Sequence, residues 1–330
     1  MQAVTFIKRR QCALFELGCI ASRTPFFVTN DELMRLNRIL TGLDFSLADR
    51  ALLAMNAFLC SHFPVQKCYF VHVTDHLVLP DDIVARFAHL FAPDTPVDEV
   101  LRQRIERQIV EGGLEELLPQ WEVNILEGQP ESRLLHWIEV KKPDLVLMGN
   151  KIEAGSGGVL PRRLARRTPA EVMFVPETFM RPIRHIVVAI DFSPPSAEAL
   201  KKALAFAKNL PEARVEPLYV VELPPSGFYL NERELSSYNE MVKATARQTW
   251  AEFAKAYGFD KAGITCTFRD NNYQSTAQAI TDYASEKQAD LLMLGARGHS
   301  ALEVLLFGSV TERVLDYAKE MPVWVVRSQQ

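Results

Sequence analysis

The chain of 330 residues lacks several features that would place it in a specialised class of protein. No apolar run is long enough for a membrane-spanning helix. There are only five cysteines and no Cys-x-x-Cys pair, so neither a disulfide framework nor a metal site is predicted. The net charge of −4 leaves no positive excess for binding nucleic acid or an anionic membrane. The hydrophobic fraction of 48% and charged fraction of 24% are typical of a globular protein with a sizeable core.

The first 35 residues are expected to form an N-terminal extension. Lys8-Arg9-Arg10 and the apolar stretch 12–21 have the outline of a signal peptide. However, Glu16 interrupts that stretch, and no small-x-small cleavage site follows it. A short extra helix packed on the first domain, or a start codon placed too early, fits the segment better. Small buried thiols in a reducing compartment explain the cysteines, and we expect a cytoplasmic protein.

Two blocks of sequence recur at nearly the same distance along the chain. Asp44-Phe45-Ser46 returns 147 residues later as Asp191-Phe192-Ser193, and the block Pro143 to Gly149 returns 146 residues later as Ala289 to Gly295. A repeat of this length predicts tandem domains, because the repeats of a solenoid are much shorter. The chain length agrees with two domains of about 150 residues each.

Both halves have strand patterns that alternate with helix patterns. The second half starts with a strand over 185–190 and a helix over 196–209, and the first half starts with a strand over 39–43 and a helix over 48–62. Similar patterns predict a helix over 97–118 and a strand over 264–268. The fold class predicted is α/β, with two tandem Rossmann-like domains, each a five-stranded parallel sheet with helices on both faces. We expect the domains at 36–176 and 185–330 and a linker at 177–184, because Pro176 and Pro182 would stop the flanking elements.

A glycine-rich string lies between a buried strand and a helix in the second half. Two and nine residues separate its glycines, and a hydroxyl residue follows: Gly295, Gly298, Gly308 and Ser309. This is the place where a parallel sheet binds its ligands. Glycines expose backbone N–H groups there, and the helix N-terminus adds a dipole that favours phosphate. The structural alternative is that Ser309 and Glu312 form a capping box and Gly308 is a turn glycine.

The segment from Asp290 to Val326 resembles the C-terminal half of a universal stress protein domain. The ATP-binding members of that family carry G-2x-G-9x-G-[S/T], and this string matches that pattern. The resemblance covers about residues 38–327 and is weaker in the first half. It implies an adenine nucleotide α-hydrolase-like fold that binds ATP, with or without Mg²⁺, in its second domain. It also implies a regulator or adaptor of the stress response that acts on an unidentified protein partner.

The resemblance assigns roles to residues of the second half. Asp191 would lie beside the adenine and ribose, and Val220 would lie against the adenine. The phosphate cradle would consist of backbone and hydroxyl groups of Gly295, Gly298, Gly308, Ser309, Val310 and Thr311, with Arg297 and His299 facing the anion. The alternatives are that Asp191 caps the next helix, in competition with Ser193, that Val220 is a core residue and that Arg297 is a surface residue.

The first half departs from the pattern. Gly149 is retained, but Ile152 replaces the second glycine and Val159 aligns with Ser309, so the hydroxyl is lost. We expect no ATP in this half. It is either a domain kept for packing or a remodelled anion site, because the following helix carries Arg162, Arg163, Arg166 and Arg167. Such arginines are more often a solvated helix face or an interface.

The sequence contains no G-x-x-x-x-G-K-[S/T] string and no evident general base, so weak ATPase activity is the most that we expect. In the family, last strands pair antiparallel across a dimer, which implies an internal pseudo-dimer joined by 172–175 and 323–326, and leaves open a homodimer of chains. Three alternatives stay open: a nucleotide-free interaction module, a slow ATPase or nucleotidyl transferase, and a binder of a small hydrophobic ligand or metabolite between the domains.

Overall fold

The computed structural model describes residues 34, 36–75, 96–150, 159–180, 182–223, 232–271, 274–298 and 307–327. The predicted N-terminal helix and His299 lie outside these residues. None of the helices in the described part is both long and apolar enough to cross a bilayer.

Strands and helices alternate through both halves. The first half contains β1 (Arg38–Leu43), α1 (Ala48–His62), β2 (Lys67–Thr74), α2 (Val97–Glu111), β3 (Trp121–Glu127), α3 (Pro130–Lys141), β4 (Leu145–Asn150), α4 (Val159–Arg167) and β5 (Glu171–Pro176). The second contains β6 (His185–Ala189), α5 (Pro194–Ala207), β7 (Arg214–Val221), α6 (Glu232–Tyr257), β8 (Thr267–Asp270), α7 (Thr276–Glu286), β9 (Leu291–Gly295), α8 (Ser309–Tyr317) and β10 (Val323–Val326).

One sheet runs through both halves in the order β3-β2-β1-β4-β5-β10-β9-β6-β7-β8. Neighbouring strands within each half are parallel. The two halves meet where β5 and β10 pair antiparallel, with Met173 opposite Trp324. These are the two strands that the resemblance implied would pair. The predicted α/β fold with a parallel sheet in each half is confirmed.

Each face of the sheet has its own apolar core, which explains why the strands are buried on both sides. Helices α1, α2, α5 and α6 cover one face, where Leu52, Ile109 and Phe206 are fully buried or nearly so. Helices α3, α4, α7 and α8 cover the other face, where Leu164 and Val314 are fully buried. Strands buried on two faces read as continuous apolar runs, and this is the pattern that the sequence shows.

Two backbone details recur in the halves at the offset of the sequence repeat. Asp144 accepts hydrogen bonds from the N–H groups of residues 37 and 38, and Asp290 accepts them from the N–H groups of residues 184 and 185. Phe45 and Phe192 have φ angles of 60° and 63°. Positive φ is uncommon for a bulky residue, so its presence at both positions reflects a shared local structure.

Two predicted elements differ from the structure. The helix predicted over 97–118 ends at Glu111, because Gly112 and Gly113 follow and Gly113 has a φ of 65°. The strand predicted over 264–268 instead spans Thr267–Asp270 and pairs with β7 from Leu218 onward. The Leu218 carbonyl accepts a hydrogen bond on the β6 side, so the preceding Pro217 faces β8, where it has no N–H to donate.

Glu171, at the start of β5, is buried at the seam between the halves. One of its carboxylate oxygens accepts a hydrogen bond from Lys202 Nζ at 2.6 Å, and the other accepts one from Trp324 Nε1 at 2.9 Å. Burial raises the pKa of the Glu171 carboxyl, and the Lys202 ammonium opposes that rise. A raised folded-state pKa means that ionisation of this group costs stability as the pH rises, and Lys202 limits the cost.

We expect Lys202→Met to lower the free energy of unfolding by about 3 kcal/mol at neutral pH, because the Glu171 carboxylate stays buried without its cation. The loss should shrink in mild acid, where Glu171 is protonated. Urea unfolding at several pH values measures both effects. Lys201→Met is the matched control, since Lys201 pairs with Glu198 on the surface, and it should change stability by less than about 0.5 kcal/mol. A loss that is independent of pH would mean that Lys202 acts through packing alone.

Candidate functional site

Two adjoining clefts lie at the carboxyl edge of the second half, where β6, β7 and β9 end. The larger has a volume of about 680 Å³ and the smaller about 200 Å³. Residues from three parts of the chain line both clefts: Ile190, Asp191, Thr276, Ile280 and Val310. The clefts therefore form one elongated site with a wide and a narrow end.

The narrow cleft is bordered by the glycine string and by the first turn of α8. Gly308 is the N-cap, and Ser309, Val310 and Thr311 are the first three helical residues. Their N–H groups have no acceptor in a preceding turn, and no side chain caps this helix. The uncapped N–H groups and the helix dipole give this end of the site a positive electrostatic potential.

The capping-box alternative for this helix is wrong. Ser309 lies inside the helix and makes no capping hydrogen bond. The Glu312 carboxylate, which a capping box would turn back toward the N-cap, pairs with Arg166 of α4 at 2.8 Å. The Ser309 side chain is exposed at the narrow cleft, which it lines.

Gly298 and Gly308 differ in the space around them. A Cβ added at Gly298 would lie 2.2 Å from Asp191 Oδ2, so no side chain fits without moving that carboxylate. A Cβ added at Gly308 would be no closer than 3.6 Å to its neighbours, which is ordinary van der Waals contact. A side chain at position 298 therefore needs the Asp191 carboxylate to move, whereas one at position 308 does not.

Asp191 joins the two clefts. Its Oδ1 accepts hydrogen bonds from the backbone N–H and the hydroxyl of Ser193, and its Oδ2 faces Gly298. Ser193 itself is the N-cap of α5 and accepts a hydrogen bond from the Ser196 N–H. The alternative that Asp191 caps this helix is therefore wrong.

The wide cleft has mainly apolar walls. Val220 of β7 is 4% exposed, and its neighbour Tyr219 stacks on Phe192 with ring centroids 4.4 Å apart. Burial raises the pKa of the Tyr219 hydroxyl, and the charges of Glu222 and Asp191 raise it further, so this ring is neutral. An apolar slot of this kind suits a flat, uncharged ring.

Helix α6 provides a wall of the wide cleft that was not predicted from the sequence. This wall consists of Met241, Val242, Thr245, Ala246 and Thr249. Met241, Thr245 and Thr249 recur at four-residue spacing, which places them on one side of a helix. The sequence shows that spacing, but it does not show that this side of α6 faces the cleft.

Two predicted site residues have other contacts in the structure. Thr311 is buried, and its hydroxyl donates a hydrogen bond to the Gly295 carbonyl at 3.1 Å, so this group holds α8 against the end of β9. Arg297 lines the narrow cleft. Burial is the main reason that the pKa of Arg327 is lowered to about 10, and the charge of Arg297 lowers it further.

The first half has a smaller counterpart of the site. Its cleft of about 220 Å³ is lined by Asp44, Gly149 and the start of α4. The third residue of α4 is Pro161, where α8 has Thr311, so one N–H donor is missing there. Arg162, Arg166 and Arg167 of α4 pair with carboxylates, at Asp316, Glu312 and Glu131. These three arginines form an interface with α8 and α3, which disfavours the remodelled anion site.

The fold and the cleft at the carboxyl edge of its sheet define an α/β protein of the Rossmann-like type. The sequence profile of the Universal stress protein family matches residues 182–327. A universal stress protein of Methanocaldococcus jannaschii is 31% identical over 144 residues, which are 44% of this chain and 82% of that protein. The chain belongs to the universal stress protein family.

Solved structures of the same fold extend over both halves. A universal stress protein from Archaeoglobus fulgidus DSM 4304 has a TM-score of 0.57 and 16% identity, and the match covers 90% of this chain and 98% of that one. A functionally unknown protein from Pseudomonas aeruginosa PAO1 has a TM-score of 0.58 and 14% identity, over 88% and 92% of the two chains. The first half therefore shares this fold, although the family profile matches only the second half.

Gly298→Ala should destabilise the protein by about 1–3 kcal/mol, because the new Cβ must displace the Asp191 carboxylate. Gly308→Ala is the matched control and should cost less than about 1 kcal/mol, since space is open and only an N-cap preference is lost. Urea unfolding of both variants checks this difference. Equal losses would show that the contact between Gly298 and Asp191 carries no energetic weight.

Proposed function

We propose that the second half binds ATP or a related adenine nucleotide, and that the protein acts as a nucleotide-dependent regulator or adaptor in the stress response of the cytoplasm. The observation that carries this proposal is the uncapped N-terminus of α8, which opens into a narrow cleft continuous with a wide apolar one. A nucleotide has the same division into an anionic chain and a flat ring.

The residues present fit such a ligand. The N–H groups of Ser309 and Val310 and the backbone around Gly298 would hold the phosphates. The wide cleft, with Val220 on its floor, would take the adenine. Asp191 lies where the two clefts join and would accept hydrogen bonds from ribose hydroxyls. If Mg²⁺ accompanies the phosphates, the exposed Ser309 hydroxyl would reach it more readily than the Thr311 hydroxyl, because Thr311 is buried against the Gly295 carbonyl.

The contacts of α8 support a regulatory role. Glu312 and Asp316 pair with Arg166 and Arg162 of α4 in the first half. Just beyond α8, the Ala318 carbonyl accepts a hydrogen bond from the buried side chain of Asn150 at 2.8 Å. A ligand at the N-terminus of α8 would therefore bear on a helix that is joined to the other half. A ligand that binds one of two arrangements of α8 more tightly would shift the protein toward that arrangement. A protein partner would then bind the favoured arrangement.

Slow hydrolysis is the most that the described cleft supports. Its carboxylates within the described residues are Asp191 and Glu222, which accept hydrogen bonds from Ser193 and Thr276. No histidine or lysine lies beside these carboxylates among the described residues that line the two clefts. A nucleotide that is held for long periods suits a regulator better than a catalyst.

The test is to identify nucleotide released on denaturing the freshly purified protein and to titrate the protein with Mg-ATP. Val310→Asp should weaken binding at least tenfold, because like charges about 4 Å apart repel by about 4 kcal/mol near a protein surface. The fold should tolerate this change, since Val310 is 37% exposed and an aspartate favours a helix N-terminus.

Val310→Asn is the matched control, because it has the same shape without the charge, and it should bind within about threefold of the parent. We expect one equivalent of nucleotide per chain. No released nucleotide and no titration signal at millimolar ATP would contradict the proposal and favour a nucleotide-free interaction module. Steady turnover that Val310→Asp abolishes would favour an ATPase.

A further inference from the structure

Two thiols that are separate in the sequence lie side by side in the first half. Cys60 is in the last turn of α1, and Cys68 is the second residue of β2. Their sulfur atoms are 3.6 Å apart. The two cysteines do not form a Cys-x-x-Cys motif. The turn between α1 and β2 brings them together in the fold.

The two thiols differ in exposure and in acidity. Cys68 is completely buried, whereas Cys60 is partly exposed. The hydrogen bond from the Cys68 thiol lowers the pKa of Cys60, and the same bond, with burial, raises the pKa of Cys68. Cys60 is therefore the nucleophile of the pair, and Cys68 is the resolving thiol.

We propose that Cys60 and Cys68 form a peroxide-reactive dithiol that closes to a disulfide within the folded protein. The Cys60 thiolate attacks one oxygen of a hydroperoxide, the O–O bond breaks, and the other oxygen leaves as an alcohol or water after taking a proton. The Cys68 sulfur then attacks the resulting Cys60 sulfenic acid, the S–O bond breaks, and water leaves. Two thiols are oxidised to one disulfide while one hydroperoxide is reduced.

The surroundings of the pair permit this closure. The sulfur atoms must approach from 3.6 Å to about 2.05 Å, the length of a disulfide bond. Cys60 lies at the end of its helix, where the last turn adjusts more readily than the middle. The core on the other side of Cys68 stays in place, because the movement needed is that of Cys60.

Closure of this bond would brace the seam between the halves. The loop closed by the disulfide contains Phe63, which stacks on Phe206 of α5 with ring centroids 4.6 Å apart. Phe206 in turn meets the Trp324 ring edge to face at 5.3 Å. Oxidation would therefore fix the segment of the first half that packs on the second half. The wide and narrow clefts of the second half would not be involved.

The experiment exposes the full-length chain to hydrogen peroxide, alkylates the remaining thiols and digests the protein with trypsin without reduction. Trypsin cleaves after Lys67, so a disulfide between Cys60 and Cys68 joins peptides 51–67 and 68–86. The joined species is lighter by two hydrogen atoms than the sum of the two peptides. Cys12→Ser and Cys19→Ser in the background remove the thiols that lie outside the described residues.

Cys266→Ser is the matched control, because Cys266 donates to the Thr267 carbonyl and burial raises its pKa to about 12. It should leave the joined peptides unchanged. Cys68→Ser should abolish them and let Cys60 oxidise on to the sulfinic acid, since no thiol is left to capture the sulfenic acid. The parent should form the disulfide faster when folded than in urea. Absence of the joined peptides from the folded chain, or equal formation in urea, would overturn the proposal.

Discussion

The antiparallel pairing of β5 with β10 is the constraint on which the rest of the structure depends. Each half alone would end its sheet in an apolar strand with unpaired backbone groups, and such edges invite aggregation. Pairing the two edges buries both and merges two five-stranded sheets into one. It also reverses strand direction at the seam, so the carboxyl ends of the halves lie at opposite edges of the sheet. The cleft of the first half and the site of the second half therefore cannot share one ligand, and each half must form its own site or none.

The seam places α8 between the candidate site and the first half. The same short helix presents uncapped N–H groups at one end and forms ion pairs with α4 along its side. The pair between Arg166 and Glu312 is exposed and contributes at most about 1 kcal/mol. The proposed communication between the halves would therefore depend on packing and on the buried hydrogen bond of Asn150 rather than on charge alone. The buried contact of Glu171 with Lys202 and Trp324 keeps this geometry fixed at the centre of the sheet.

The sequence predicted most elements to within a residue or two, because apolar periodicity and proline positions are local properties. The third strand of the second half was displaced, since its start is set by Pro217 on another strand. The glycine string was placed correctly beside α8, but the sequence left open whether Ser309 caps that helix, because the N-cap position depends on the φ and ψ angles of Gly308. The wall from α6 and the pair of Cys60 with Cys68 were missed for one reason: both depend on how a helix packs on the sheet, and spacing within the helix does not encode that.

Comparison of the halves separates what the fold needs from what a site needs. Both keep the Asp144 and Asp290 contacts with the backbone of β1 and β6, and both keep a phenylalanine at positive φ after the first strand. These features hold strand ends and helix starts in place. They would be retained whether or not the domain binds a ligand. The differences include the second glycine, where the sequence has Ile152 for Gly298, and the helix start, where Val159 and Pro161 replace the hydroxyl of Ser309 and the N–H of Thr311. Loss of these donors from the first half is the change expected if only the second half keeps an anionic ligand, as proposed.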